Sequence, residues 1–242
     1  MSLKFAKATL IAFVAVSLAT SKSNAVVLGN YTFDNQTLAP SSVVPGVSFS
    51  DFSYNPDVTP GTPSFQTHDT GFAYQATNWP RATVDTPPPN PLGDYFAYTV
   101  TPQPGFQLSL TSIMLDERRT AEGIRNFEVR SSLDNYASAL STFTVPNDSL
   151  FRSNQTTTLG TSFSNLSSPV TFRIYGYNAG AANGSWRVDN VRTLGEVSSA
   201  QAVPFELSPG MGILALGAWG TVAQLNSIVG KRRFSKSQFF KS

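Results

Sequence analysis

The sequence predicts an all-β domain, folded as an antiparallel two-sheet sandwich, between an N-terminal signal helix and a C-terminal transmembrane helix. Between residues 26 and 203 the chain is rich in Thr, Ser, Val, Phe and Tyr, and turn residues recur at short intervals. No long helical period occurs in this region. Both ends of the chain instead carry apolar segments beside basic residues, as targeting segments do.

The first 25 residues have the pattern of a secretory signal peptide. Lys4 and Lys7 give a positive start, and the apolar stretch 8–19 is short for a membrane span. Small residues precede a predicted cleavage after Ala25. The predicted divisions are therefore a signal peptide at 1–25, a sandwich domain at 26–197, and a linker with a tail at 198–242.

The tail has three parts in a fixed order. A short motif at 203–209 contains Pro204, Phe205 and Glu206, and an uncharged run follows at about 210–230. That run is long enough to cross a membrane as a helix. The end, 231–242, starts with Lys231 and two arginines, which should stay cytoplasmic. The alternative is a buried helix of a soluble domain.

This tail resembles the PFE-CTERM signal, a variant of the PEP-CTERM sorting signals of bacterial exosortase systems. The resemblance rests on Pro204, Phe205 and Glu206, the Gly/Ala/Leu-rich run and the basic end. It implies export through a translocase and signal peptidase, followed by a transient or permanent membrane anchor. It also implies transfer by an exosortase-like membrane transpeptidase to the cell envelope or the extracellular space.

The formal net charge of +2 arises from the ends of the chain, where all the lysines lie. Between residues 26 and 203 there are nine arginines against fourteen Asp and Glu, a formal charge of −5. An acidic domain argues against nucleic acid as a partner. The chain has no cysteine, which excludes disulfides, thiol chemistry and cysteine metal sites.

Alternating apolar residues predict about eight to ten strands, which suit a sandwich with jelly-roll connections. In a regular closing strand, Val188 and Val191 would lie on opposite faces, and an inward Trp186 would share a face with Val188. The predicted strands are 26–33, 47–52, 72–76, 94–101, 106–116 with a bulge, 124–131, 140–145, 157–163, 170–177 and 185–194. Residues 55–68, 81–91 and 117–123 are predicted as loops, 133–136 as an Asx-type turn, and 196–201 as a linker.

The domain also resembles a widespread exported β-sandwich of uncharacterised function that often precedes PEP-CTERM-type tails. The segments that carry this resemblance are 94–102, 110–112, 116–119, 127–134, 170–177 and 186–191. The resemblance implies a fold like the jelly-roll carbohydrate-binding modules, without a known activity.

One candidate site is a face of aromatic and arginine side chains. Arg173 alternates with core residues, so it should face outward or into a polar groove. Aromatic faces stack on sugars, so such a surface could bind a glycan; the other interpretation is a solvent face covered by arginine stems. The predicted ligand-face residues are Arg173, Tyr175, Tyr177, Trp186 and Arg187.

A structural calcium ion is the only cofactor that the sequence suggests. Asp34 ends the first strand, and Asp189 and Asn190 lie in the last, which is often its neighbour in jelly rolls. Calcium takes six to eight oxygen ligands, which these residues could supply in part. The alternative, which the lack of a dense Asp/Asn/Gly loop favours, is that Asp34 caps a turn and Asp189 pairs with an arginine.

Catalysis has little support in the sequence. His68 is the only histidine, so a Ser–His–Asp triad would depend on it, with the adjacent Asp69 poorly placed to orient it. A surface loop histidine is the simpler interpretation. The charge cluster 116–119 is interpreted as a solvated loop with internal salt bridges, or as a patch for sugar or acidic polymer. No spacing selects a pair of carboxylates for glycoside hydrolysis.

Three functions remain, and neither of the first two is enzymatic. The preferred prediction is an exported surface or extracellular-matrix protein, sorted through its tail, with a structural or adhesive role. The alternative is a carbohydrate-binding module acting on envelope or matrix polysaccharide. A glycan-active enzyme is the third.

Overall fold

The computed structural model describes residues 25–55, 61–68, 71–81 and 93–200. The chain divides into two compact units, 1–200 and 201–242, of which the second lies outside the described residues. The predicted signal helix, in the first unit, and the predicted sorting motif and transmembrane helix, in the second, all fall on residues outside the described ranges. Within the described ranges, no helix has the length and apolar character that crossing a membrane requires.

The described part of the first unit contains thirteen strands and two short 3-10 turns, at 132–134 and 161–163. The strands are β1 (Val26–Tyr31), β2 (Ser42–Val43), β3 (Val47–Phe49), β4 (Ser53–Asn55), β5 (Ser64–His68), β6 (Gly71–Thr77), β7 (Tyr95–Pro102), β8 (Phe106–Arg119), β9 (Asn126–Ser131), β10 (Ser141–Thr144), β11 (Arg152–Thr158), β12 (Val170–Tyr177) and β13 (Ser185–Ser199).

These strands form two antiparallel sheets, which confirms the predicted all-β sandwich. The seven-stranded sheet runs β11-β8-β13-β1-β2, with β6 also on β13 and β5 on β6. The six-stranded sheet runs β10-β9-β12-β7-β3, with β4 also on β7. β12 lies at its centre, paired with β7 on one side and β9 on the other.

The core between the sheets is built by strict alternation in the central strands. In β12, Phe172 and Ile174 point inward and are fully buried, while Arg173 between them is not. Large aromatic side chains from both sheets meet in this core, and burying each contributes roughly 1.5–3 kcal/mol. The largest of them are Trp79, Trp186, Tyr31, Tyr98, Phe33, Phe52, Phe96, Phe127, Phe163 and Phe172.

Several segments differ from the sequence prediction. The strand predicted at 157–163 lies instead at Arg152–Thr158, and residues 161–163 form a 3-10 turn. Residues 64–68, predicted as loop, form β5 because they pair along β6. Residues 117–119, predicted as a mobile loop, extend β8, and residues 196–199, predicted as linker, extend β13. Both extensions form because β8 and β13 pair with each other along almost their whole length, from Arg119 opposite Trp186 to Phe106 opposite Ser199. The residues of these extensions are mostly polar, so they lack the alternating apolar pattern from which strands are predicted.

A bulge in β13 explains a further difference. Asp189 pairs with Asp116 and Arg192 with Met114, so Asn190 and Val191 share one position opposite β8. Asn190 takes a left-handed backbone, φ 46°. The extra residue resets the alternation, and Val188 and Val191 are therefore both buried instead of lying on opposite faces.

Candidate functional site

The outer surface of the six-stranded sheet carries a cluster that we call the tyrosine face. It is formed by Tyr95 of β7, Glu128 and Arg130 of β9, Tyr136 of the following loop, and Arg173 and Tyr175 of β12. The register brings these side chains together, because Arg173 lies opposite Arg130, and Tyr175 lies between Tyr95 and Glu128. Alternation in each strand directs them away from the core.

The Arg173 guanidinium is held between two tyrosine rings. Its central carbon lies 3.7 Å from the ring centroid of Tyr136 and 4.4 Å from that of Tyr95. One Nη donates a hydrogen bond to the Tyr175 hydroxyl at 3.2 Å. The Tyr95 and Tyr175 rings contact each other at 5.1 Å between centroids. The Arg173 guanidinium is therefore held by two tyrosine rings and one tyrosine hydroxyl.

Tyr136 reaches this position through an unusual loop. Asn135 and Tyr136 both adopt left-handed backbone, φ 56° and 60°. The Asp134 carboxylate accepts hydrogen bonds from the backbone N–H groups of Ala137 and Ser138, three and four residues on. The Asx-type turn predicted at 133–136 would instead bond the N–H two residues on. A bulky side chain at positive φ is uncommon and is retained where its surroundings fix it.

Glu128 and Arg130 are the two buried charged residues of the tyrosine face. Glu128 is 0 % exposed, and its Oε1 accepts a hydrogen bond from the Arg130 Nε at 2.5 Å. Burial raises the pKa of the Glu128 carboxyl, and Arg130 offsets this only in part. Oε2 of Glu128 has no hydrogen-bond partner in the described ranges. Arg130 also donates to the carbonyls of Tyr136 and Ala137, which ties the loop to β9.

The structure brings together only part of the predicted ligand face. Arg173 is partly exposed on the tyrosine face, where Tyr175 is covered by its neighbours at 1 % exposure. Tyr177, two positions further along β12, is also buried, at 3 % exposure. Trp186 is 0 % exposed in the core, where it contacts Trp79 and Phe127, so its assignment to a ligand face is wrong.

Arg187 lies on the other sheet, in β13, where it bonds Gln75 of β6 and does not join Arg173. Tyr95 and Tyr136 were missed by sequence reasoning. The signal for Tyr95 is its place in strict alternation with Phe96 and Tyr98; Tyr136 has none.

The outer surface of the seven-stranded sheet carries a second cluster, which we call the carboxylate face. Its residues are His68, Asp116, Asn154, Asp189, Asn190 and Arg192. His68 Nδ1 lies 2.6 Å from Asp189 Oδ2, and its ring stacks on Phe151. Asp189 Oδ1 accepts the backbone N–H of Asn190 at 2.6 Å.

The second carboxylate of this face, Asp116, also forms a hydrogen bond with the β13 bulge. The Asn190 side-chain amide donates to Asp116 Oδ2 at 3.0 Å, and the backbone N–H of Asn154 donates to Asp116 Oδ1 at 2.8 Å. Asp189 is only 4 % exposed, and burial is the main cause that raises its pKa, against His68 and Asn190. The two carboxylates therefore hold the β13 bulge and join β5, β8 and β11 to it.

These contacts do not favour the predicted calcium site. Asp189 pairs with His68 and Asn190 rather than with an arginine, and Asp34 accepts the backbone N–H of Phe72 in the β5–β6 hairpin. Among the described residues, no group of three or more His, Cys, Asp or Glu is arranged to hold a metal ion. The calcium site at Asp34, Asp189 and Asn190 stays a prediction.

The charge cluster at 116–119 is not a solvated loop. Glu117 points inward, where Arg152 donates to its Oε1 at 2.5 Å and the Trp186 indole N–H to its Oε2 at 3.2 Å. Burial raises the pKa of Glu117 despite these partners. Arg119 is buried too and donates to the carbonyls of Pro146, Ala121 and Gly123. These charges stabilise the domain edge.

Comparison with known proteins gives structural likeness only. No family model matches the chain, and no curated protein matches it. The K3 adhesin domain of Lys-gingipain from Porphyromonas gingivalis W83 is similar over 71% of this chain and 99% of its own, at 16% identity and a TM-score of 0.35.

Two carbohydrate-binding modules show a similar degree of likeness. CBM27-1 of Caldicellulosiruptor saccharolyticus, solved with mannohexaose, is similar over 71% of this chain and 97% of its own, at 12% identity and a TM-score of 0.39. TmCBM61, solved with beta-1,4-galactotriose, is similar over 69% and 99%, at 11% identity and a TM-score of 0.37. At these values the likenesses say nothing about what this chain binds.

Proposed function

We propose that this chain is an exported, non-catalytic protein whose β-sandwich binds polysaccharide at the tyrosine face. The observation that carries the proposal is the stack of Tyr95, Arg173 and Tyr136 on an outer sheet surface. Tyrosine offers a rigid apolar ring with a polar end, and arginine offers several donors in one plane. Together they suit a sugar, which has apolar ring faces and hydroxyl edges.

The backbone of Tyr136 supports a functional reason for this stack. Strained residues of this kind cost of order 1–3 kcal/mol each and cluster at ligand clamps. A glycine or asparagine would suit the left-handed backbone better. A tyrosine at φ 60° therefore favours a role for the ring itself.

The carboxylates beside the tyrosine face favour binding over hydrolysis. Hydrolysis of a glycosidic bond uses two carboxyl groups on either side of the bond. Among the described residues of this face and its loop, Glu128 is buried against Arg130, and Asp134 caps the loop backbone. Both are engaged in structural contacts.

The test is affinity electrophoresis of the full-length chain through gels containing soluble polysaccharides. Tyr136→Ala removes a ring of the stack, and Phe151→Ala is the matched control, because Phe151 is an aromatic residue of the other outer surface. We expect retardation of the parent by at least one polysaccharide and a loss of affinity of about tenfold in Tyr136→Ala alone. The proposal fails if no polysaccharide retards the chain, or if both variants behave as the parent does.

Export and sorting are the second part of the proposal. Its support is the signal-like segment ending at Ala25, directly before β1, and the tail with Pro204, Phe205 and Glu206. The protein is then held at the membrane and passed to the envelope or the medium by an exosortase-like transpeptidase.

Intact mass measures this processing directly. We expect the native protein to lack residues 1–25 and the helix after Glu206, and a variant with alanines at Pro204, Phe205 and Glu206 to keep that helix. A native protein that retains residues 210–230 would instead be a plain membrane-anchored protein.

A further inference from the structure

Among the residues that the structure describes, no carboxylate neutralises the charge of Arg173. Its contacts are the two tyrosine rings and the Tyr175 hydroxyl, and no Asp or Glu lies within ion-pair distance in the described part of the chain. Arg130, directly opposite in β9, differs in this respect, because Glu128 pairs with it. Asp134 of the neighbouring loop is engaged by backbone N–H groups. Counting the described residues, the tyrosine face therefore keeps one uncompensated positive charge at its centre.

The stacking determines how a ligand can reach this charge. The Tyr95 and Tyr136 rings both lie against the guanidinium, with centroids 4.4 Å and 3.7 Å from its central carbon, so a ligand group must approach N–H donors that the rings leave free. Of the five N–H donors, one is directed to Tyr175. An edge with paired donors matches the two oxygens of a carboxylate better than a single hydroxyl, and it gives two parallel charge-assisted hydrogen bonds.

Both rings also hold the side chain in place before any ligand arrives. A free arginine side chain loses rotamer freedom when it binds, whereas Arg173 is already ordered by the stack. Pre-ordering of a charged donor that has no partner carboxylate in the described residues suits recognition of an anion.

We propose that the polysaccharide is acidic, and that Arg173 binds a carboxylate of its uronic acid units while Tyr95 and Tyr136 fix the guanidinium. This inference rests on the proposed function, since it names the class of ligand for the same site. The domain as a whole is acidic, so attraction must be local. Charges further apart than about 10 Å are screened at 0.1 M salt.

The test compares two polymers that share a backbone and differ only at the carboxyl group. Polygalacturonate carries free carboxylates, and its methyl ester has the same backbone without them. We expect the full-length chain to bind polygalacturonate at 0.1 M salt at least about tenfold more tightly than the ester, the factor for one charge-assisted pair. This comparison needs no variant, so a folding defect cannot confuse it.

Variants then assign the effect to one residue. Arg173→Gln should remove the preference for the free acid, and Arg173→Lys, which keeps the charge without the fork, should restore only part of it. Arg187→Gln is the matched control, because it removes one positive charge from the other outer surface. A thermal melt of each variant confirms folding.

The outcomes separate this inference from the proposed function. Equal binding of both polymers, or equal weakening by Arg173→Gln and Arg187→Gln, would overturn the acidic ligand and leave polysaccharide binding standing. Binding of neutral polysaccharides only would do the same. If no polysaccharide of either kind binds, the proposed function fails, and the acidic ligand with it.

Discussion

The two outer surfaces of the sandwich use charge in different ways. On the carboxylate face, Asp116 and Asp189 are tied to Asn190, Asn154 and His68, and these bonds hold a bulge in β13. On the tyrosine face, Arg173 is held by rings and one hydroxyl, and its charge remains available. The difference indicates that the first cluster is part of the architecture, whereas the second has binding capacity that the fold does not use.

Replacing Asp189 by alanine should give the largest effect on stability. The change removes the acceptor of His68 Nδ1 and of the Asn190 backbone N–H at a buried position. We expect the free energy of unfolding to fall by about 2–4 kcal/mol in urea titrations, with polysaccharide affinity unchanged. Arg173→Gln should cost about 1 kcal/mol or less by the same measurement. Equal losses would remove the distinction between the two surfaces.

A second prediction concerns pH and the buried carboxyls. Burial raises the pKa of both Glu117 and Glu128 above the ordinary value of 4.5, so the folded chain holds these protons more tightly than the unfolded chain does. The stability that the protonated carboxyls of Glu117 and Glu128 contribute is therefore fully present below pH 4.5, and it is lost as the pH rises through their raised pKa values.

Glu128→Gln isolates the contribution of the tyrosine face. The free energy of unfolding of this variant, measured at a series of pH values, should fall less than that of the parent as the pH rises above about 4.5. Parallel curves for the two proteins would show that the Glu128 pKa is not raised.

Tyr136→Gly should separate stability from binding. Glycine relieves the left-handed backbone, a gain of about 1 kcal/mol, but the variant loses the ring on Arg173, a cost of similar size. We expect a melting temperature close to that of the parent and a clear loss of polysaccharide affinity. A large drop in melting temperature would instead make Tyr136 a structural residue of its loop.

The smallest effect is expected for Arg187→Gln. Arg187 is partly exposed and contacts Gln75, so its loss should change the free energy of unfolding by about 0.5 kcal/mol or less. Polysaccharide affinity should remain as in the parent. A loss of affinity in this variant would extend the binding surface to the other sheet.

Alternation along the strands made much of the sandwich predictable, and the prediction failed where alternation is interrupted. The inward positions of Phe172 and Ile174, and the outward position of Arg173, result from a period of two along β12. Trp186 shares that period with Val188 and lies in the core, but its size and type also suggested a ligand face. The extra residue at Asn190 cannot be read from composition, so the position predicted for Val191 is wrong.

Contacts between distant segments were beyond sequence reasoning for a different reason. His68 and Asp189 are 121 positions apart, and nothing local to either indicates the pairing. The turn signal at Asp134 predicts that the chain turns here. It does not predict the left-handed backbone of the loop, through which Tyr136 joins the tyrosine face. The neighbours of each residue in the tyrosine face and the carboxylate face therefore depend on sheet register and loop conformation, which a single sequence does not determine.

The most direct test of the account is the hydrogen-exchange footprint of a bound polysaccharide on the full-length chain. We predict slower amide exchange in the loop 132–138 and in β7 and β12, with residues 150–154 and the β13 bulge unchanged. Protection at the bulge and at residues 150–154, with none in the Tyr136 loop, would place binding on the carboxylate face and contradict the account.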